Sequence, residues 1–341
     1  MKFKRIHAAT IGAVALAFSA SAQTESAPEV QTVAADAAAT APDPLSSAAA
    51  VYATFHGDVT DIKQNSFKSA NDIQSALSNL GSQNSEQLTR GWMAYSALVA
   101  SQNPEFRAAV RDIEGFYGKD VFVRGLQNDV RYARSLNGGT TAVNSALVAG
   151  DADAKRLTST AAFVKEQAYS LQGAGWAKGK VGDSGAIATS LRAQSLTGRP
   201  ARSEMVTAFS APGIDTVLVS AGASGAPSVW ESVSSAASAI RVPDVKGALG
   251  LSGAKRVATG KEPIADQIAT LAAYRIVGSD GSAAAPMQRA MTEKQTAGCL
   301  NMAQLNLQQC VAAAHQHFEV PFCIGEHALA DVGRCISKVS Q

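Results

Sequence analysis

The sequence predicts a mainly α-helical protein, with a multi-helix domain, an irregular Gly/Ser-rich connection and a small C-terminal helical hairpin stapled by two disulfides. Apolar residues recur every three or four positions through much of the chain, which is typical of helices that bury one face. All four cysteines lie between Cys299 and Cys335. The mean hydropathy of +0.00 over 341 residues is too low for a protein with many membrane spans.

Residues 1–22 have the pattern of a secretory signal peptide. Three basic residues are followed by an apolar run and by small residues that a signal peptidase accepts: Lys2, Lys4 and Arg5, then residues 6–18, then residues 20–22. The apolar run is shorter than the roughly 20 residues that span a bilayer. We therefore expect cleavage before Gln23, no stable transmembrane segment afterwards, and a periplasmic location, with secretion or display at the cell surface as alternatives.

The charge balance argues against nucleic acid as a partner. The chain has 30 Lys and Arg against 28 Asp and Glu, and loss of the three signal-peptide cations leaves 27 against 28. Binding to phosphate backbones requires a surplus of basic residues, which this chain does not have. We expect protein partners instead, either other envelope proteins or further copies of this chain.

Residues 23–44 are predicted to form a disordered, acidic, Ala/Pro-rich tether. The segment contains four acidic residues and no Lys or Arg, and it lacks large apolar residues that a core would bury. A pro-segment that is removed by proteolysis would have the same composition. The segment therefore contributes no predicted core residue.

Residues 45–197 form the predicted helical domain. Ser85 is a suitable N-cap for a helix over residues 86–101, whose apolar stripe contains Trp92. The other predicted helices are one from Pro104 to Gly118, one capped by Asp120 and ended by Gly138 and Gly139, one over residues 142–149, and one over residues 152–171 after Gly150, with Asp151 and Asp153 as N-terminal capping residues.

Residues 198–262 change in character, because Gly, Ser, Ala and Pro become frequent and apolar runs become short. We interpret this segment as an irregular connection, in which residues 216–219 have the composition of a short strand and residues 229–240 that of a helix. Regular helix is expected to resume in a C-terminal module over residues 263–341.

The cysteine spacing predicts how the C-terminal module is cross-linked. An even number of cysteines in an exported chain indicates disulfides. Cys299 and Cys310 are 11 residues apart, which is roughly 16 Å along a helix and too far for a bond between them. Cys323 and Cys335 have a matching spacing after Pro321. An antiparallel hairpin would pair Cys310 with Cys323 and Cys299 with Cys335, and the other two connectivities stay open.

Two local patterns suggest chemistry without assembling a site. Three histidines lie among the cysteines, at His315, His317 and His327, and would suit zinc in a reducing compartment, but oxidation competes for the thiols outside the cytoplasm. Residues 182–185 resemble the Gly-Asp-Ser-Gly around the nucleophile of chymotrypsin-like proteases. That family needs an upstream histidine on a β-barrel, and His56 lies in a region that we predict to be helical.

We therefore predict neither catalytic nor metal-binding residues and no cofactor. The predicted function is that of an exported bacterial cell-envelope protein that acts by protein–protein interaction, as a scaffold, assembly factor or structural component. One alternative is an envelope hydrolase whose active site the sequence does not identify. The other is a metal or ligand carrier that uses the histidines of the C-terminal module.

Overall fold

A computed structural model describes residues 43–233, 255–278 and 280–340, and helices are the regular elements of these ranges. Two isolated bridge pairs, Lys180 with Gln316 and Val257 with Ser340, add local antiparallel contacts. The mainly α-helical fold is thus confirmed. The helices are α1 Pro44–Gln64, α2 Ala70–Gly81, α3 Ser85–Ala100, α4 Pro104–Tyr117, α5 Lys119–Asn128, α6 Tyr132–Ser135, α7 Gly139–Leu171, α8 Ser184–Thr197, α9 Ser203–Ala208, α10 Ile214–Ser224, α11 Val229–Ser232, α12 Glu262–Val277, α13 Ala284–Ala290, α14 Lys294–Ala313, α15 Glu319–Cys323 and α16 Asp331–Ser337.

Short polar side chains begin the first helices. Asp43 accepts a hydrogen bond from the Ser46 backbone N–H and precedes Pro44, so the last two residues of the predicted tether begin α1, while residues 23–42 lie outside the described ranges. The cap of α3 is Asn84 and not Ser85 as predicted. The predicted boundaries of α4 are correct, because Pro104 begins this helix and Gly118 follows its last residue.

Helix α7 corrects the prediction of two helices separated by Gly150. It runs unbroken from Gly139 to Leu171, so Asp151 and Asp153 lie in its interior and do not cap it. Glycine lowers helix stability by only about 1 kcal/mol, which tertiary packing offsets easily. A Cβ at Gly150 would lie 3.6 Å from Nε1 of the buried Trp92, which is ordinary van der Waals distance, so a larger residue such as alanine would also fit there.

The helix predicted to begin at Asp120 and to reach Gly138 is also divided differently. Helix α5 ends at Asn128, and the short helix α6 follows before α7. Asp120 lies in the first turn of α5 and does not cap it. Gly138, with a φ of +74°, is the N-cap of α7. It therefore begins a helix, whereas the prediction placed it at the end of one.

Helices α1 and α3 pack against each other along their length. Gly91 makes this possible, because a Cβ there would lie 2.8 Å from the carbonyl oxygen of Ala48 and 3.0 Å from the Tyr52 backbone nitrogen. Tyr52, Trp92 and Tyr95 fill the space between these helices and α7 and are buried. The apolar stripe predicted for α3 is therefore part of the core.

The segment after α8 is more regular than predicted over its described part. Residues 216–219 belong to α10, so the predicted strand is wrong. Glycines with positive φ at Gly213 and Gly225 flank that helix. In an Ala-rich chain, four β-branched or apolar residues in a row do not distinguish a strand from a buried helical turn. Residues 234–254 of the predicted connection lie outside the described ranges.

The C-terminal helices form the predicted cross-linked hairpin. Disulfides join Cys310 to Cys323 and Cys299 to Cys335, which is the nested pairing. Helix α14 ends three residues after Cys310, and α15 begins four residues before Cys323, so the inner disulfide lies directly at the turn. The sequence pattern places the break between the two halves at Pro321, but the break lies before it, at residues 314–318. Pro321 itself is in the first turn of α15, where proline is tolerated.

The hairpin packs on α7 and shares the core of the upstream helices. A π-helical segment, Ile324–Ala330, joins α15 to α16, and a Cβ at Gly325 within it would lie 3.0 Å from the Ala161 carbonyl oxygen of α7. One continuous group of buried apolar residues extends from Leu45 to Val339. The domain boundaries proposed above stay a prediction. None of the described helices is both long enough and apolar enough to cross a membrane.

Candidate functional site

A cleft lies between α1 and α7, and its other walls come from α9, α11 and the residues next to them. Its volume is about 830 Å³. Cavities of roughly 300 to 1,000 Å³ hold drug-sized ligands in proteins. Its lining includes His56, Val59, Asp61 and Lys63 of α1, Arg156 of α7, Arg202, Glu204 and Met205 from α9 and the residue before it, and Trp230 and Glu231 of α11.

The floor of the cleft is an aromatic group. The ring of His56 stacks on Trp230, with centroids 4.3 Å apart and an interplanar angle of 17°. Tyr52, one helical turn before His56, meets the His56 ring edge-on at 4.5 Å. Tyr95 of α3 lies 5.5 Å from Tyr52 and 5.4 Å from Trp230. Three helices therefore fix the orientation of the histidine, and only 1% of the His56 surface is exposed.

A buried ion pair lies behind this aromatic group. Asp153 is fully buried and accepts hydrogen bonds from Tyr52 Oη at 2.9 Å and from Arg156 Nη2. Arg156 also donates from Nη2 to Ser228 Oγ, and from Nη1 to the Gly225 carbonyl oxygen at 2.8 Å. Its guanidinium carbon lies 5.4 Å from the centre of the Trp230 ring, which is cation–π distance. These bonds hold the short helix α11 against α7.

Burial shifts the pKa values of this group. Desolvation raises the pKa of Asp153 to about 7, although the Arg156 charge and the Tyr52 hydroxyl act in the opposite direction. Desolvation, followed by the charge of Asp153, raises the pKa of Tyr52 well above its usual value. Desolvation and the nearby Arg156 charge lower the pKa of His56 well below its usual value. The imidazole is therefore neutral at physiological pH.

Two atoms of cleft-lining residues are buried and lack a hydrogen-bond partner within the described part of the chain. They are His56 Nε2 and Arg156 Nε. The nearest acceptor to Arg156 Nε is Glu231 Oε1, at 3.8 Å, which is too long for a hydrogen bond. Most buried polar atoms in folded proteins have a partner, so such atoms in a cleft wall require an explanation.

The mouth of the cleft carries charges of both signs. Arg202 pairs with Asp58, and with Asp61 at 2.8 Å, and it fixes the chain before α9 to α1. Arg199 reaches the same Asp58 at 2.9 Å. Because Asp58 is buried, desolvation raises its pKa in spite of the two arginines. Glu204 and Lys63 also line the mouth, so the cleft has no single-signed field.

The residues that the sequence patterns singled out lie elsewhere. Ser184 donates its hydroxyl to the Ala312 carbonyl oxygen at 2.9 Å, and Asp183 caps α8, so both have structural roles. His327 contacts Asp331 through Nδ1 at 2.8 Å. The described ranges contain no group of three or more His, Cys, Asp or Glu side chains placed to hold a metal ion. The four cysteines are all in disulfides.

An exposed aromatic pair marks a different surface, at the corner between α4 and α5. Phe116 is 80% exposed and Tyr117 is 60% exposed, and their rings meet edge-on at 4.7 Å. Val121 of α5 is exposed nearby in the chain. Large apolar side chains exposed together are typical of surfaces that bind other proteins. We call Phe116, Tyr117 and Val121 the corner surface.

Comparison with protein-family models, with curated proteins and with solved structures gives no match to this chain. What the cleft can do therefore follows from its own residues.

The sequence did contain a signal for the cleft. Asp153 follows Gly150 by three residues and precedes Leu157 by four, so it lies on the buried stripe of α7, where a carboxylate is costly without partners. Arg156, three residues later, and the pair Tyr52 and His56, four residues apart on α1, have helical spacings that place side chains side by side. Contact between α1 and Trp230 depends on the tertiary fold and has no local signature.

Proposed function

We propose that the protein is exported, is cleaved before Gln23 and works in the bacterial periplasm as a binding protein for a small molecule. The support for export is the signal pattern of residues 1–22, together with four cysteines that are all in disulfides, a bond that persists in oxidising compartments. N-terminal sequencing of the protein from a periplasmic fraction tests this part. Retention of Met1 in the cytoplasm would contradict it.

The observation that carries ligand binding is the unpartnered Nε2 of His56 in the floor of the cleft. Trp230 and Tyr52 pack against the ring, so this nitrogen cannot turn toward another partner among the described residues. A buried polar atom without a partner costs about 1 to 3 kcal/mol. A ligand that offers a hydrogen bond removes this cost, and a rigid, oriented polar group in a cleft gives the ligand specificity.

The same geometry favours binding over catalysis. General bases work best with pKa values near the working pH. Because burial and Arg156 lower the pKa of His56 well below its usual value, the ring is a weak proton acceptor. Asp153 is covered by Tyr52 and Arg156 and has no exposed surface. Asp153 thus fixes Tyr52 and Arg156 in place, and His56 is suited to hold a ligand by a hydrogen bond rather than to accept its proton.

Replacing His56 by phenylalanine tests the proposal. The planar ring and its stacking are retained, and the unpartnered nitrogen is lost. We expect the melting temperature of the His56→Phe variant to equal or exceed that of the wild type, because a buried unsatisfied atom has been removed. In a thermal-shift panel of small metabolites, we expect compounds that stabilise the wild type to lose at least about tenfold in affinity for the variant.

His327→Phe is the matched control. This histidine has a partner, Asp331, and lies outside the cleft, so the variant should lose some stability and keep its affinity for ligands. A His56→Phe variant that is strongly destabilised would show that the ring has a structural role. A panel hit that binds both variants equally would show that the cleft is not the binding site.

The corner surface supports a second candidate function, which is the protein–protein interaction expected from the sequence. Phe116 and Tyr117 are exposed side by side and would be covered in a complex. We expect sedimentation velocity to show concentration-dependent association that the double variant Phe116→Ser, Tyr117→Ser abolishes. Leu196→Ser, which changes another exposed apolar residue on α8, is the control. A strict monomer at all concentrations excludes self-association through this surface.

A further inference from the structure

The deep end of the cleft presents hydrogen-bond donors. Arg156 is always protonated, so its Nε carries a hydrogen, and its other nitrogens already donate to Gly225, Ser228 and Asp153. Among the Arg156 nitrogens, Nε is the one without a hydrogen-bond partner in the described ranges. The neutral His56 ring can donate from Nε2 in one of its tautomers. A ligand group that accepts hydrogen bonds, such as a carbonyl or carboxylate oxygen, fits Arg156 Nε and the Nε2-protonated tautomer of His56.

The rest of the cleft offers both charge signs to a ligand. In the described ranges no carboxylate lies within salt-bridge distance of Lys63, whose side chain is exposed at the mouth. Glu231 uses Oε2 to accept the Ser228 backbone N–H, which leaves Oε1 without a hydrogen bond among the described residues. The cleft thus carries one exposed cation and two carboxylates whose ion pairs are long. Glu231 lies 3.8 Å from Arg156 Nε, and Glu204, which also accepts a hydrogen bond from Ser203 Oγ, lies 3.9 Å from Arg202.

The shape and lining of the cleft indicate a ligand larger than a single amino acid. A volume of about 830 Å³ belongs to the upper part of the range seen for drug-sized ligands. Val59, Met205 and Trp230 give the wall apolar sections between the charged groups. A short peptide has an ammonium group, a carboxylate, amide carbonyl oxygens and apolar side chains along one chain.

We propose that the cleft binds a short, zwitterionic peptide, with its ammonium group near Glu204 and Glu231 and its carboxylate near Lys63, while amide oxygens accept hydrogen bonds from the His56 and Arg156 donors. This inference rests on the proposed function and specifies the class of ligand. The neutral state of His56 supports this inference. An uncharged ring can form a hydrogen bond with a peptide amide, and it does not compete with Lys63 for the peptide carboxylate.

The test is calorimetric titration of the mature protein with four forms of tri-L-alanine: free, N-acetylated, C-amidated, and blocked at both ends. We expect the free peptide to bind, and each single block to weaken binding by at least about tenfold, because each removes a charge-assisted hydrogen bond. Glu231→Gln, which keeps an oxygen for the Ser228 N–H, should weaken the free peptide and leave the N-acetylated one unchanged. Lys63→Met should weaken the free peptide and leave the C-amidated one unchanged.

Lys68→Met is the matched control, because Lys68 is exposed and lies outside the cleft. Equal binding of all four peptide forms would overturn the assignment of the charged ends. If no peptide binds but a compound of the thermal-shift panel binds in a His56-dependent manner, the peptide class is wrong and the proposed function stands. Failure of both peptides and panel would overturn the proposed function as well.

Discussion

Replacement of Asp153 by alanine should strongly destabilise the fold, because it leaves two buried groups without their partner. The Tyr52 hydroxyl, 2.9 Å from the carboxylate, loses its acceptor, and Arg156 loses its buried counter-ion. An unsatisfied buried hydroxyl costs about 1 to 3 kcal/mol, and a hydrogen bond to a charged group contributes about 1.5 to 3 kcal/mol. Together these terms give a loss of about 2.5 to 6 kcal/mol, which spans the roughly 3 to 5 kcal/mol lost when one partner of a buried ion pair is removed.

Urea unfolding followed by circular dichroism at pH 8, where the Asp153 carboxyl is ionised, measures this loss. Asp151→Ala is the control on the same helix. Its partners are two lysines near the surface, Lys155 at 2.9 Å and Lys255 at 3.1 Å, and surface pairs contribute no more than about 1 kcal/mol each. Arg156→Met and the double variant complete a cycle, in which we expect a coupling energy of about 2 kcal/mol or more. A loss for Asp153→Ala no larger than that for Asp151→Ala would refute the assignment of a buried network.

Three further predictions follow from the packing and the titration of the chain. Since the pKa of Asp153 is raised to about 7 in the folded state from 3.8, the folded state holds a proton that the unfolded state has lost. The stability that this bound proton adds is therefore full below about pH 4 and is lost as the pH rises through about 7. An Asp153→Asn variant should lack this slope in unfolding experiments over that range. Gly91→Ala should destabilise the protein by about 1 to 3 kcal/mol, because the new Cβ would meet the backbone of α1. Gly115→Ala, where a Cβ has no atom within 4 Å, should stabilise it by about 0.5 to 1 kcal/mol. Thermal unfolding compares the two variants, and equal effects would contradict the close approach of α1 and α3. Replacing Cys310 and Cys323 by serine should lower the free energy of unfolding by about 3 kcal/mol, because that disulfide closes a loop of 13 residues. Opening the outer disulfide alone should lower it by about 4 kcal/mol, because its loop spans 36 residues. Unchanged urea midpoints would contradict this prediction.

Local signals predicted the helices well where local chemistry decides them. Pro104 and Gly118 mark the ends of α4, and the cysteine spacings predict the hairpin, because a helix presents residues 11 apart on nearly the same face. The cap of α3 was misplaced by one residue because Asn84 and Ser85 are both good N-caps. Asn84 also donates to the Ser195 carbonyl oxygen at 2.9 Å, and this tertiary bond is invisible in the sequence.

The cleft was missed for a similar reason. Asp151 and Asp153 look alike as a pair of capping carboxylates, yet Asp151 pairs with lysines at the surface and Asp153 is buried against Tyr52. Asp153 lies on the stripe of α7 that faces α1 because the helix continues through Gly150. His56 then acquires its environment from Trp230, which is far away in the chain. Long-range packing, and not residue type, turns these side chains into a candidate site.

The most direct test of ligand binding is a crystal structure of the mature protein with the compound that gives the largest thermal shift. We expect its density in the cleft between α1, α7 and α11, with a polar atom within about 3.2 Å of His56 Nε2. Density outside the cleft, for example in the apolar groove lined by Tyr169 and Phe322, would contradict the proposal, as would a complex in which His56 Nε2 still lacks a partner.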